Sequence, residues 1–92
     1  MIRSFADKET ERFAGGNVVR RFRAFDRVAY RKLKYLMSAL TLDDLRVPPG
    51  NRLEALGGDR RGQFSIRIND QWRICFRWRD GGAESVEIVD YH

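Results

Sequence analysis

The hydrophobic and polar positions in the back half of the chain alternate, which is the pattern of a β-strand with two different faces. Between Trp72 and Arg79, aromatic and aliphatic side chains occupy every even position, whereas three arginines and Cys75 occupy the odd ones. Because successive side chains of a strand point to opposite faces, this segment predicts one apolar face and one basic face. Asp80-Gly81-Gly82 follows, and these residue types tolerate positive φ, so a tight hairpin is predicted there.

The front half has a helical repeat instead. Its apolar residues recur at steps of three and four: Phe22, Phe25, Ala29, Leu33, Leu36, Met37 and Leu40. This stripe predicts a helix between Phe22 and Leu40, with Asp26 a candidate for its first turn. Basic residues recur beside the stripe: Arg20, Arg23, Arg27, Arg31 and Lys34. The basic ridge is either a solvated helix face or a surface for RNA phosphates or the ribosome.

The other segments predict short elements. Asp7 to Phe13 suits a short helix with acidic residues at its start, and Thr41 to Leu45 a capped helical turn. Pro48-Pro49-Gly50-Asn51 separates this helical part from a β-rich part. Strands are predicted at three further places: Ile2 to Phe5, Arg52 to Leu56 and Gln63 to Ile68. The order β-α-α-β-β-β-β, with a short turn before the second strand, predicts an α+β fold in a single domain, residues 1–92, whose last three strands form an antiparallel meander.

Charge and cysteine content narrow the class of protein. The net charge is +5, and all but three of the 18 basic residues are arginines. Arginine binds phosphate bidentately and stacks on bases, which favours nucleic-acid or ribosome contact. The alternative is a solvated basic surface or an acidic protein partner. No apolar run reaches the ~20 residues of a membrane span, no signal peptide is visible, and one cysteine gives no internal disulfide, so a cytoplasmic protein is expected.

A set of titratable residues remains as the candidate chemical site. No phosphate-binding loop, dinucleotide motif or zinc motif is present, so neither a metal nor a cofactor is predicted. The candidate set is Glu54, Arg73, Asp90, Tyr91 and His92, with Arg60 and Arg61 on a loop. Metal-free RNA cleavage needs a base for the ribose 2′-hydroxyl, an acid for the departing 5′-oxygen and a cation for the phosphorane. His92 suits acid or base work because imidazole titrates near neutral pH, and Arg73 suits the cationic role because it stays protonated.

Three motifs together resemble one family of bacterial toxins. They are Asn51-Arg52-Leu53-Glu54-Ala55-Leu56-Gly57-Gly58-Asp59-Arg60, then Ser65-Ile66-Arg67-Ile68-Asn69-Asp70-Gln71-Trp72-Arg73-Ile74-Cys75-Phe76, and finally Asp90-Tyr91-His92. This combination is similar to the HigB branch of the RelE/ParE superfamily. The resemblance implies helices packed on one side of a twisted, mostly antiparallel sheet. It also implies a type II toxin with a helix-turn-helix antitoxin of the HigA type, operator DNA contacted only through that antitoxin, and metal-free cleavage of mRNA in the ribosomal A site.

The resemblance also implies roles for single residues. Asp90, Tyr91 and His92 match positions tied to cleavage, and Arg73 matches a phosphate-contacting arginine. Glu54 or His92 would take the 2′-hydroxyl proton and the other would protonate the leaving oxygen, with Asp90 orienting His92 and Tyr91 holding the nucleotide. Phosphate contacts are expected from five cations: Arg60, Arg61, Arg27, Arg31 and Lys34.

Two departures from the family keep other functions open. Glu54 stands where the best-known members have a catalytic histidine, and Gly57 where they have a lysine. These changes favour a second interpretation, a toxin that binds and blocks the ribosome or its assembly without cutting RNA. A gyrase inhibitor of the ParE kind is the third interpretation, although such relatives generally lack the terminal acid–base cluster. Three aromatic residues are candidates for either core or antitoxin interface: Tyr30, Tyr35 and Trp78.

Overall fold

Four antiparallel strands and two α-helices make up the structure, a computed structural model that describes residues 1–91. The candidate catalytic residue His92 lies outside the described residues. The sheet has the order β1-β2-β3-β4, with bounds Glu54–Ala55, Phe64–Arg67, Trp72–Arg79 and Gly82–Asp90. The helices are α1, Lys8–Ala14, and α2, Asp26–Ser38. Short 3-10 helices lie between these elements: Arg20–Phe25, Leu42–Arg46, Pro49–Asn51 and Gly58–Arg60. The predicted α+β architecture and the order of the elements from α1 onward are confirmed, whereas the predicted N-terminal strand is present only as two isolated bridges.

The β3–β4 hairpin closes through the tight turn that the sequence predicted. Arg79 pairs with Gly82, which leaves Asp80 and Gly81 as a two-residue loop. Their φ angles are 50° and 77°. Positive φ at both positions is the geometry of a type I′ turn, whose twist matches that of the strands.

A bulge in β4 keeps both ends of the hairpin aligned with the core. Opposite Phe76, β4 supplies two residues, Ser85 and Val86, where β3 supplies one. Ser85 takes up the extra length with a φ of 53°. Val86 therefore stays on the buried face, opposite Phe76, and both side chains are fully buried.

The N-terminal residues cover the free edge of β4. Ile2 and Phe5 form isolated parallel bridges to that strand, in the place predicted for an edge strand. Farther along the same edge, the buried Thr10 of α1 accepts a hydrogen bond from the Ile88 N–H at 3.1 Å. Since an open strand edge invites pairing with other chains, these contacts protect the last strand of the sheet.

The helix predicted from Phe22 to Leu40 is two helices. A 3-10 helix ends at Phe25, and α2 begins at Asp26, the residue proposed for the first turn. In a 3-10 helix residues three apart share one side, so Phe22 and Phe25 both contact the Trp72 ring, with centroids 6.0 and 4.9 Å away. In the part of the chain described, no helix is both long and apolar enough to cross a membrane.

The predicted end of this helix is wrong. The last helical residue is Ser38, and Leu40 is exposed rather than part of the apolar stripe. The cause is the following capped turn, because the Leu40 N–H donates to the Asp44 carboxylate at 2.9 Å. Asp44 also closes the capping box with Thr41, which confirms the predicted turn.

One face of the sheet and α2 enclose the core. Buried apolar side chains of the helix meet those of the three longer strands: Ala29, Leu33, Leu36, Ile66, Ile74, Phe76, Val86 and Ile88. The alternation predicted for β3 is confirmed, since Ile74 and Phe76 face this core. Tyr35 and Trp78 pack against its margin, whereas Tyr30 is exposed.

A buried lysine fastens the proline segment to α2. The Lys32 Nζ donates to the Asn51 Oδ1 at 2.7 Å, and both side chains are buried. Asn51 Nδ2 in turn donates to the carbonyls of Leu45 at 3.1 Å and Val47 at 3.3 Å. Burial lowers the pKa of Lys32, and two neighbouring arginines act in the same direction. The segment predicted only as a boundary is thus held by a polar network in the interior.

We expect Asn51→Ala to lower the free energy of unfolding by about 3 kcal/mol, because it leaves a buried ammonium group and a buried carbonyl without partners. Urea denaturation followed by tryptophan fluorescence measures the change. Asn17→Ala is the matched control, since the exposed Asn17 makes one side-chain hydrogen bond, to the Arg12 carbonyl; its cost should stay under about 0.5 kcal/mol. Equal losses in the two variants would contradict the role assigned to Asn51.

Cys75 should be chemically protected in the folded protein. It is fully buried in β3, and burial raises the pKa of its thiol, with Glu87 adding to this effect and Arg60 and Arg73 opposing it. Because the thiolate is the reactive form, we expect labelling by a thiol reagent to be at least about 100-fold slower in the native protein than in urea. A variant with Ser38→Cys and Cys75→Ala supplies the exposed reference, and similar native rates for the two thiols would refute the prediction.

Candidate active site

A row of polar side chains crosses the face of the sheet that is turned away from α2. The strand register places Glu54 opposite Ser65, Ser65 opposite Cys75, and Cys75 opposite Glu87. Side chains of directly paired residues share a face, so the row runs through all four strands. Arg73 lies two residues before Cys75 and therefore points to the same face.

Arg73 is the best-anchored cation of this face. Its Nε donates to the Ser65 Oγ at 2.7 Å and its Nη2 to the Arg52 carbonyl at 2.7 Å, and the side chain is only 13% exposed. A guanidinium has five N–H donors. Two are used here, so three N–H groups have no hydrogen-bond partner within residues 1–91. The group is fixed in position and still able to bind an anion in a fork-like geometry.

The anchor of Arg73 depends on the backbone after the proline segment. Arg52 has φ 45° and ψ 58°, a left-handed conformation, directly after the 3-10 helix that ends at Asn51. Asn51 is itself held by Lys32. The interior polar network therefore fixes the residue beside the carbonyl that holds Arg73. The same backbone also explains why β1 is shorter than the predicted strand from Arg52 to Leu56.

Glu54 stands beside this guanidinium but remains open. Its Oε1 is 3.9 Å from the Arg73 Nη2, and its side chain is 57% exposed. The distance is too long for a hydrogen bond but short enough for an ion pair. A carboxylate so placed can accept a proton from a substrate bound at Arg73.

Two loop arginines border the same face. Arg60 Nη1 donates to the Gln63 Oε1 at 3.0 Å and to the Glu87 Oε1 at 3.4 Å. Arg60 therefore lies next to the polar row, with part of its donor capacity in use. Arg61 follows on the exposed loop.

Two more candidate residues, Asp90 and Tyr91, lie at the end of β4, beside the start of β3. Asp90 pairs with Trp72 in the register, so its side chain leaves on the helix side, where its Oδ2 accepts from the Gln71 Nε2 at 2.9 Å. The Tyr91 N–H donates to the Gln71 carbonyl at 2.7 Å, which keeps the backbone beside β3. Tyr91 follows the last residue of β4, so strand alternation does not fix the direction of its side chain. The structure thus groups Glu54 and Arg73 on one face and puts the Asp90 carboxylate at the opposite side of the strand end.

The three helical cations predicted to bind RNA lie elsewhere. Arg27, Arg31 and Lys34 are exposed on α2, on the side opposite its buried residues. Since α2 packs on the other face of the sheet, the helix and the sheet separate these cations from Arg73.

Sequence reasoning missed the residues that hold the site together. Ser65 and Glu87 alternate with core residues on their strands, so the sequence pattern places them on the face away from the core. The sequence does not show which residues pair across the strands. Lys32 and Asn51 gave no signal, because an isolated lysine and asparagine are usually exposed. Within residues 1–91, no three His, Cys, Asp or Glu side chains cluster as a metal ion would need.

The chain is similar in sequence to known toxins. A family model described as the RelE-like toxin of type II toxin–antitoxin system HigB matches residues 3–92. Toxin HigB-1 of Vibrio cholerae is 41% identical over 85 residues, which is 90% of each chain. The Endoribonuclease HigB of Proteus vulgaris is 42% identical over 41 residues, 45% of each chain.

Solved structures with low sequence identity share the fold. The YoeB–YefM complex from Staphylococcus aureus has a chain that superposes with a TM-score of 0.63 at 17% identity, over 100% of this chain and 98% of that one. A mutant of YafQ from E. coli gives a TM-score of 0.60 at 18% identity, over 98% and 93%. With a family model that matches residues 3–92 and a relative that is 41% identical over 90% of each chain, the chain belongs to the HigB family of RelE-like toxins of type II toxin–antitoxin systems.

Proposed function

We propose that this toxin is an endoribonuclease that cuts mRNA in the ribosomal A site through acid–base chemistry of its own side chains. The observation that carries the proposal is Arg73, a nearly buried guanidinium that lies 3.9 Å from the exposed Glu54 carboxylate and has three N–H groups without a hydrogen-bond partner within residues 1–91. The name of the Proteus vulgaris relative, an endoribonuclease, supports the same activity.

The reaction follows from the groups that cleavage requires. Glu54 or His92 removes the proton from a ribose 2′-hydroxyl, and the resulting oxygen attacks the adjacent phosphorus. The bond to the 5′-oxygen breaks, and the other of the two residues returns a proton to that oxygen. Arg73 stabilises the charge that builds up on the phosphorane oxygens, which is where a fixed donor lowers the barrier most.

The remaining residues position the RNA. Tyr91 stacks on or holds a nucleotide. Asp90, whose carboxylate lies on the other side of the strand end from Arg73, is proposed to orient His92 and does not itself contact the RNA. Arg60 and Arg61 contact phosphates at the border of the polar row. Arg60 is restrained by Glu87, so the exposed Arg61 has the greater freedom to follow the RNA backbone.

Control of the toxin completes the proposal. A type II toxin is neutralised by an antitoxin, which in this proposal is a helix-turn-helix protein of the HigA type that alone contacts operator DNA. The toxin then acts in the cytoplasm, where its ribosomal target is found.

A toxin that only binds the ribosome is the second candidate. The observation that favours it is Gly57 itself, an exposed position that has no side chain and therefore no cation. In that case the basic face would occupy the ribosome while RNA stays intact.

Cleavage should depend on Arg73 in a geometric way. On purified ribosomes, wild-type protein should produce new mRNA ends in the A site, and Arg73→Lys should lower the rate by about 100-fold or more, because a lysine cannot keep both anchors and present a fork to phosphate. Arg79→Lys is the control on the same strand and the same face, since Arg79 is largely exposed and its Nε lies 3.8 Å from the Glu84 carboxylate, too far for a hydrogen bond; it should cut like wild type.

Glu54→Gln and His92→Ala test the acid–base pair. Each should slow cleavage by at least about 100-fold, the usual contribution of a positioned acid or base. Intact mRNA with wild-type protein, together with blocked translation that survives in the double variant, would establish the binding-only function instead.

A further inference from the structure

A groove on the helix side of the molecule is unrelated to the active site. It runs between the end of α1, the segment from Gly16 to Val19, and the outer face of α2, with a volume of about 600 Å³. Phe13, Val18 and Tyr30 contribute its apolar surface. Val18 is 71% exposed and Tyr30 36%, although Phe13 and Tyr30 pack edge to face with centroids 6.1 Å apart. An aliphatic and an aromatic side chain are thus presented together at the surface.

One wall of the groove is cationic. Arg27, Arg31 and Lys34 follow each other at steps of four and three along α2, so they form a stripe about 10 Å long. None of the three forms an ion pair with a carboxylate in residues 1–91. Lys34 Nζ stands 5.6 Å from the centre of the Tyr30 ring, so charge and apolar surface adjoin directly.

The combination fits an acidic amphipathic helix better than RNA. The stripe corresponds to about two turns of a partner helix, and helix-in-groove recognition uses apolar anchors with charges at the rim. The aliphatic side chain of Val18 cannot form a hydrogen bond or an ion pair with a nucleic-acid backbone. The groove also lies on the opposite side of the sheet from Arg73.

We propose that this groove docks an acidic amphipathic helix of the antitoxin, with carboxylates facing Arg27, Arg31 and Lys34 and apolar side chains against Val18 and Tyr30. The proposal relies on the toxin–antitoxin pairing and not on the cleavage chemistry, so either can fail without the other.

The test measures, by calorimetry, the affinity of the full-length toxin for its full-length cognate antitoxin. Val18→Glu puts a negative charge in the groove and should weaken binding by at least about 30-fold, as for a central interface residue. Val47→Glu is the matched control, because Val47 is 70% exposed and lies in the proline segment outside the groove; it should bind like wild type. Unfolding curves for both variants show that the fold is kept.

Charge reversal separates the possible occupants. Arg31→Glu should weaken antitoxin binding to a similar extent and more at low salt than at high salt, whereas Arg46→Glu, outside the groove, should not. Unchanged antitoxin affinity in Val18→Glu and Arg31→Glu would overturn the proposal. So would a loss confined to binding of a short single-stranded RNA, or a wild-type toxin dimer that Val18→Glu dissociates, since these identify RNA or a second copy of the chain as the occupant.

Discussion

The fixation of the Arg73 guanidinium is the interaction around which the molecule is arranged. A cation that is largely withdrawn from water needs acceptors at fixed positions, and here they come from a neighbouring strand, through Ser65, and from the backbone of Arg52. Both acceptors exist only when the sheet register and the proline segment are in place. The position of the Arg73 guanidinium therefore depends on three features: the sheet, the proline segment and the buried contact between Lys32 and Asn51.

The two faces of the central strand β3 have different roles: one packs in the core, and the other carries residues of the candidate site. Ile74 and Phe76 join the core with α2, whereas Arg73 and Cys75 belong to the polar row. Cys75 is fully buried although it lies on the polar face, since neighbouring side chains cover it. Because core residues and Arg73 belong to the same strand, packing of the core also positions the backbone of the cation.

Local patterns were readable from the sequence, and contacts between distant segments were not. The alternation of β3, the turn at Asp80 and Gly81 and the cap at Thr41 depend on residues close together in the chain, so they could be predicted. The break at Phe25 was not predicted because the same apolar repeat fits one long helix, whereas in the structure Phe22 and Phe25 both pack on Trp72, which is distant in the chain. The candidate site shows the same limit. Glu54, Arg73 and Tyr91 were recognised by residue type, but that the Asp90 side chain leaves the opposite side of β4 depends on the register with Trp72. Residue type therefore indicates which side chains are candidates for the site, and the strand register determines which of them lie close together.

The bridges between Ile2, Phe5 and the last strand have a consequence for biosynthesis. They join the N-terminal segment to the strand that is translated last among the four, and such contacts form only after the later partner has left the ribosome. The hairpin that carries Arg73 likewise cannot form until β4 has been synthesised. The protein thus acquires its folded shape only once its final strand has been made.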